Sequence, residues 1–153
     1  MTGPAVGRIF RCMSDVIFPR SPREVMCGWM HLPRFVDKIR LHLAGRLPAD
    51  YQANFGKGFD ALWLERAGVD FATFTEVVRH SITDGEVCDW VAKNVRQPDT
   101  VKEAHRRRML DYPRPGDAEM QARLVLRKEQ AGLAHRNDIR NFVDFIDADE
   151  KRI

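Results

Sequence analysis

The densest group of chemistry-bearing side chains lies early in the chain. Arg20-Ser21-Pro22-Arg23-Glu24 is followed by His31-Leu32-Pro33-Arg34, then by Asp37-Lys38 and Arg40. An arginine fork matches a carboxylate or phosphate through paired hydrogen bonds. An aspartate beside it can orient a neighbouring cation, or act as a base when desolvated. At about 100° per residue, Arg34, Asp37, Lys38 and Leu41 share one helical face. Arg20, Arg23, Arg34, Asp37 and Lys38 are therefore the candidate ligand-binding residues, with a small anionic ligand as the expected partner. The competing interpretation is an ion-pair network that pins the N-terminal segment onto the helix.

Two other functions compete with binding of an anion. In an enzyme, Asp37 or His31 would serve as general base and Arg34 as electrostatic stabiliser. No nucleophile–base pair is visible in the sequence, so catalysis stays open. In an oligomeric scaffold or protein-interaction module, Trp29, Trp63 or Trp90 would lie at an interface. Monomer and homo-oligomer are both compatible with the sequence.

No cofactor or metal is expected. Gly56-Lys57-Gly58 is too short for a phosphate loop, and neither HExxH nor CxxC occurs. The stretch DFIDADE places Asp144, Asp147, Asp149 and Glu150 close together but lacks the turn glycine of a calcium loop. It reads as a solvated acidic helix end that opposes the helix dipole and pairs with Lys151 and Arg152. His105-Arg106-Arg107-Arg108 is the most basic spot. Its consecutive arginines fan across roughly 200° of a helix, and Glu103 and Asp111 flank them, so no nucleic-acid role is expected. Cys12, Cys27 and Cys88 are odd in number and widely spaced, which predicts free, small apolar residues and no disulfide framework. Cys27, four residues before His31, is the best placed of them for a thiolate.

Helical periodicity supplies the elements that would position these groups. Residues 1–18 read as an irregular arm with Gly3, Pro4 and Gly7. Ser21, Pro22 and Glu24 approximate a capping box for a short helix over 22–30. Pro33 opens a helix over 33–44, with Phe35, Val36, Ile39 and Leu43 as its apolar stripe and Gly45 as its stop. Leu41 on the charged side hints that this helix is covered on both faces. Residues 46–57 read as a loop, and the next helix runs from about Phe59 to Gly68. Asp70 caps a helix whose buried side is Phe71, Phe74, Val77 and Val78. Thr83, with Glu86 at the third position, caps the one carrying Val87, Trp90 and Val91. Gln97-Pro98 is the best internal boundary. Beyond it come a charged helix from Asp99 or Thr100 to Leu110, a long one over 117–134, and a last one over 137–148 with Ile139, Phe142, Val143 and Ile146 as its stripe. The fold class is all-α: a single compact bundle of about six to eight short helices, with a core over 19–96 and C-terminal helices over 97–153 packed on it.

The chain has 153 residues, which fits one globular domain, a net charge of +3, and 44% apolar residues, too many for a wholly disordered chain. Residues 1–46 hold eight basic and three acidic side chains, residues 47–97 five and eight, and residues 98–153 twelve and eleven. The basic excess is thus local. It suits an anionic ligand, or ion pairs with the acidic middle. Apolar runs such as Val16-Ile17-Phe18 are too short for a membrane span. Arg8, Arg11 and Asp15 interrupt the N-terminal apolar stretch, which predicts no export signal and a cytoplasmic location.

The segment FPRSPREVMCGWMHLPRFVDKIRLHLAG resembles the opening signature of DUF5069, a bacterial family of unknown function. DYQANFGKGFDALWLERAGVDFATFTEVV and SITDGEVCDWVAKNV are similar to its following segments, so the resemblance covers about residues 18–95. RNDIRNFVDFIDADE also looks like family sequence. The resemblance implies a small, soluble, helical bacterial protein and no particular activity. Its signature maps onto Ser21, Pro22, Arg23, Leu32, Pro33, Arg34, Asp37, Lys38, Arg40, Gly45, Asp60 and Trp90.

Overall fold

The computed structural model describes residues 16–153. The arm expected over 1–18 therefore lies outside the described residues up to residue 15; residues 16–18 are irregular and exposed. Among the described residues, the first regular element is a short antiparallel hairpin, β1 (Val25–Met26) and β2 (Trp29–Met30), in register Val25 with Met30 and Met26 with Trp29. The helix expected over 22–30 is absent. Cys27 and Gly28 have φ values of 53° and 80°, and positive φ at both central residues is what a tight hairpin turn needs. The Ser21 hydroxyl caps no helix: it accepts from the Arg23 N–H and donates to Asp147.

Eight helices follow: α1 (Leu32–Leu43), α2 (Ala49–Gln52), α3 (Phe59–Ala67), α4 (Phe71–Arg79), α5 (Asp84–Asn94), α6 (Asp99–Leu110), α7 (Ala118–Gln130) and α8 (Phe142–Asp149). Together with the hairpin they make the all-α bundle that periodicity predicts. Asp70 and Thr83 cap α4 and α5 as expected, accepting from the N–H groups of Thr73 and Glu86. The segment 46–57 contains the single-turn α2. The last two helices are shorter than their apolar patterns suggest. Asp117 caps α7, and Asn141 caps α8, leaving Ile139 buried in the loop before it.

Helix α1 is the centre of the molecule. His31, at φ 78°, turns the chain out of the hairpin and into α1, and Pro33 fits the first turn, where no intrahelical donor is needed. Phe35, Val36 and Ile39 are fully buried, and on the opposite side Arg34 and Lys38 are buried too, so both faces are covered. Trp29, Phe35, Trp63 and Phe74 form the aromatic heart, with Trp63 4.7 Å from Phe74 and 6.1 Å, edge-on, from Trp29. Helix α6 packs on the hairpin and α3, and α8 packs on α6 and α7. Met30, Met109 and Val143 bind these layers together.

Cys27 and Cys88 are joined in a disulfide, which corrects the expectation of free thiols at these two positions and of Cys27 as a thiolate candidate; Cys12 lies outside the described residues. The hairpin turn carries Cys27 to the middle of α5, with a Cα separation of 5.6 Å. Sixty-one residues separate the pair, so spacing in the sequence could not reveal it.

Candidate functional site

The basic N-terminal segment is bound by carboxylates from three directions. Arg20 holds Asp37 with Nε 2.9 Å and Nη2 3.0 Å from its oxygens, and reaches Asp84 on α5 through Nη1 at 2.8 Å. Arg40 takes the other oxygen of Asp84, also at 2.8 Å. Arg23 bonds Asp144 and Asp147 of α8. Arg34 grips Glu150 as a fork, with Nη1 2.9 Å and Nη2 2.7 Å from the carboxylate, and also donates to the Arg20 carbonyl. The Tyr51 hydroxyl donates to Glu150 at 2.6 Å, and Arg152 pairs with the same residue. Burial alone would raise the Glu150 carboxyl; Arg34 outweighs it and holds the group below its ordinary range. Burial and the Glu150 contact push the Tyr51 hydroxyl up.

The acidic stretch near the C-terminus is thus not a solvated helix end. Asp147 and Glu150 are buried against guanidinium groups, which offset the unfavourable helix dipole. Among the described residues, part of the basic excess pairs with the acidic middle of the chain, through Asp60 and Asp84, and Arg23 and Arg34 pair with α8 and the residue after it.

Lys38 turns away from this network. Its Nζ lies 2.7 Å from Asp60 Oδ2, and His31 Nε2 lies 2.6 Å from Asp60 Oδ1. The Gly56 N–H also donates to Asp60, at 3.0 Å. An ionised carboxylate only accepts, so His31 carries its proton on Nε2 and leaves Nδ1 without a partner among the described residues. Burial lowers the His31 pKa and keeps the ring neutral. Burial would raise Asp60, but His31 and Lys38 outweigh it and hold the carboxyl below its ordinary range. A base held by an aspartate is present here, at 2% exposure. Arg34, Asp37 and Lys38 share a stretch of α1, yet each meets a different partner.

A third feature lies on the surface. Helices α4 and α5 diverge around an open groove of about 700 Å³ lined by Ala72, Thr73, Glu76, Val77, His80, Ser81, Glu86 and Trp90. Trp90 is half-buried and leans on Phe74, with ring centroids 6.3 Å apart. Ile82, next to the groove in sequence, is 87% exposed.

The family model for DUF5069, a domain of unknown function, matches residues 16–152. The chain belongs to the DUF5069 family. No curated protein matches it. In this DUF5069 chain, the charged signature residues Arg23, Arg34, Asp37, Lys38, Arg40 and Asp60 all lie in ion pairs and Ser21 hydrogen-bonds Asp147, whereas Trp90 lines the groove. The acidic partners that sequence reasoning missed are Asp84, Asp144, Asp147 and Glu150. Their one signal was acidic clustering in a chain whose basic excess is local.

The arginines after His105 stay on the surface of the DUF5069 fold: Arg106 and Arg107 pair with Glu103, and Arg108 lies over the Tyr112 ring. His105 itself is fully buried and donates from Nε2 to the Met30 carbonyl at 3.0 Å. Burial lowers its pKa to about 4. Among the described residues, no group of three His, Cys, Asp or Glu side chains is placed to hold a metal. No helix of the described chain is long and apolar enough to cross a membrane.

Proposed function

We propose that this DUF5069 protein is an interaction module that docks a basic, amphipathic segment of a partner protein in the α4–α5 groove. The carrying observation is Trp90: a large aromatic, braced by Phe74, that is only half-buried in a mostly apolar groove, with the almost fully exposed Ile82 next to the groove residue Ser81 in sequence. Braced aromatics with accessible faces are the usual anchors of protein interfaces. The groove is open along its length, which suits a chain segment better than an enclosed small molecule. Glu76 and Glu86 on its wall, within the acid-rich middle of the sequence, favour a partner carrying lysine or arginine around an apolar stripe. Glu76 is paired with Arg79 and His80 only through exposed contacts, which a partner's cations can replace.

The other readings ask more of the molecule. A small anion at Arg34 must displace Glu150 from a buried fork, and an enzyme using His31 must open a site at 2% exposure. The groove needs no rearrangement. Residence in a bacterial cytoplasm belongs to the same proposal.

The test uses NMR of the isotope-labelled chain titrated with a designed amphipathic helix of leucine and lysine, and with a matched leucine–glutamate helix. Saturable shifts at Thr73, Val77 and the Trp90 indole with the basic peptide only are expected. Ile82→Asp, at an exposed position, should weaken them without altering the fold. Equal response to both peptides, no response, or shifts confined to another face would overturn the reading.

A further inference from the structure

We propose that Cys27 and Cys88 form a reversible dithiol–disulfide site that opens and closes in the folded protein. This inference stands apart from the groove reading and rests on where the bond lies.

The bond joins the turn of a hairpin only two residues per strand to one side of α5. The bond lies at the edge of the core: Cys27 and Cys88 are half-buried against a cluster whose heart, Trp29, Phe35, Ile39, Trp63 and Phe74, is fully buried. A small secreted domain needs disulfides because its core is meagre; this chain of 153 residues has an extensive one. A disulfide that folding does not require is the kind that serves redox sensing in reducing compartments.

Both cysteines are half-buried at the edge of the core, not sealed within it. Val25 and Gly28 of the hairpin border a cleft of about 270 Å³ among the described residues, although neither cysteine lines it. Cys27 is also held at φ 53°, a left-handed conformation that costs a residue with a Cβ. Reduction removes one of the restraints that keep it there, so the hairpin turn and α5 loosen from each other when the bond opens.

The chemistry needs a reductant that supplies two thiols, either one dithiol or two molecules of a monothiol such as glutathione. Its thiolate attacks one sulfur of the Cys27–Cys88 bond, forming a mixed disulfide and releasing the other cysteine as a thiolate that takes up a proton. The second thiol of the reductant, deprotonated, attacks the mixed disulfide, so the reductant leaves oxidised and both cysteines end as thiols. Two electrons and two protons pass to the protein. Oxidation by a disulfide such as oxidised glutathione reverses the steps.

The experiment equilibrates the native, full chain in buffers of stepped reduced-to-oxidised glutathione ratio, quenches with acid, alkylates, and reads the Cys27 and Cys88 peptides by mass spectrometry. Far-UV circular dichroism is recorded on the same samples. The two peptides should gain label together, along one two-electron curve, while helical signal is unchanged. Tm should fall by about 5–15 °C on reduction. Cys88→Ser should fold and lose that Tm response. A bond that resists reduction until the chain is denatured would make it purely structural and overturn the proposal. So would thiols that never pair at the oxidising end, or loss of helical signal on reduction.

Discussion

Lys38 and Asp60 meet in the interior between α1 and α3, Nζ to Oδ2 at 2.7 Å, with less than a tenth of either side chain exposed. His31 takes the other oxygen at 2.6 Å, and the Gly56 N–H adds a third donor. A buried carboxylate so satisfied ties the end of the hairpin, the first buried helix and the start of α3 to one atom group. Removing it leaves an ammonium and an imidazole N–H in a dry site.

The first prediction follows from that asymmetry. Asp60→Ala should cost about 3–5 kcal/mol, because one partner of a buried pair is deleted and its cation is stranded. The double variant Lys38→Met with Asp60→Leu should recover much of the loss, since two apolar side chains leave no stranded charge in the pair. Urea denaturation followed by circular dichroism measures both. A double variant no better than Asp60→Ala would show that the charge of Lys38 is not what makes the loss large.

The second prediction concerns acid. Burial depresses His105 to about 4, whereas a histidine in the unfolded chain titrates near 6.5. The unfolded state therefore takes up the proton first as pH falls, so stability is full above pH ~6.5 and declines toward pH ~4, by an amount on the order of 3 kcal/mol. His31, also lowered by burial, acts in the same direction. Asp60 and Glu150 are held below the ordinary carboxylate range, so their contributions persist above pH ~4 and are lost only on further acidification. Unfolding free energies between pH 7.5 and pH 4 should fall steadily. His105→Gln, whose amide can still donate to the Met30 carbonyl, should flatten the slope; an unchanged slope would assign it elsewhere.

Local pattern and long-range partnership were unequally legible in the sequence. Asp70 and Thr83 could be read as caps because a cap and its helix lie within four residues of each other. The stripe of Phe35, Val36 and Ile39 on α1 was legible for the same reason. The hairpin was not, because two strands of two residues have no periodicity, and its turn depends on positive φ at Cys27, which residue type does not announce. The site was read half correctly. Arg34 and Lys38 emerged as special from their shared face with Leu41. Their partners Glu150 and Asp60 lie 116 and 22 residues away and are chosen by tertiary packing. Glu150 in particular sits after a helix end where an acid is locally unfavourable, so local reasoning pointed to solvent and tertiary charge overruled it.

The third prediction separates that pair from the surface. Glu150→Ala should cost about 3–5 kcal/mol by stranding the buried Arg34 fork. Glu103→Ala removes a carboxylate that serves two arginines, Arg106 and Arg107, yet all three side chains are at least 47% exposed, and the cost should stay below about 1 kcal/mol. Raising salt to 1 M should erase the effect of Glu103→Ala and leave most of that of Glu150→Ala, because screening acts on solvated charges. Thermal denaturation of both variants at low and high salt gives the comparison. Similar costs would mean that the Arg34 fork is solvated in solution.

The last prediction isolates packing beside the buried triad by pairing two glycines of like conformation. Gly45 and Gly56 have φ values of 69° and 75°, so alanine at either position bears a left-handed cost of about 1–2 kcal/mol. At Gly45 an added Cβ would meet no heavy atom within 4 Å, whereas at Gly56 it would lie 3.1 Å from the Phe71 ring. Phe71 is itself held between Phe35, stacked at 6.1 Å, and Phe55, edge-on at 5.0 Å, so the ring cannot yield freely. Gly56 also donates its N–H to Asp60, and any shift that relieves the clash draws that donor from the carboxylate. Gly56→Ala should therefore be less stable than Gly45→Ala by about 1–3 kcal/mol. Equal losses in parallel denaturation curves would show that the loop carrying Gly56 moves without disturbing Phe71 or Asp60.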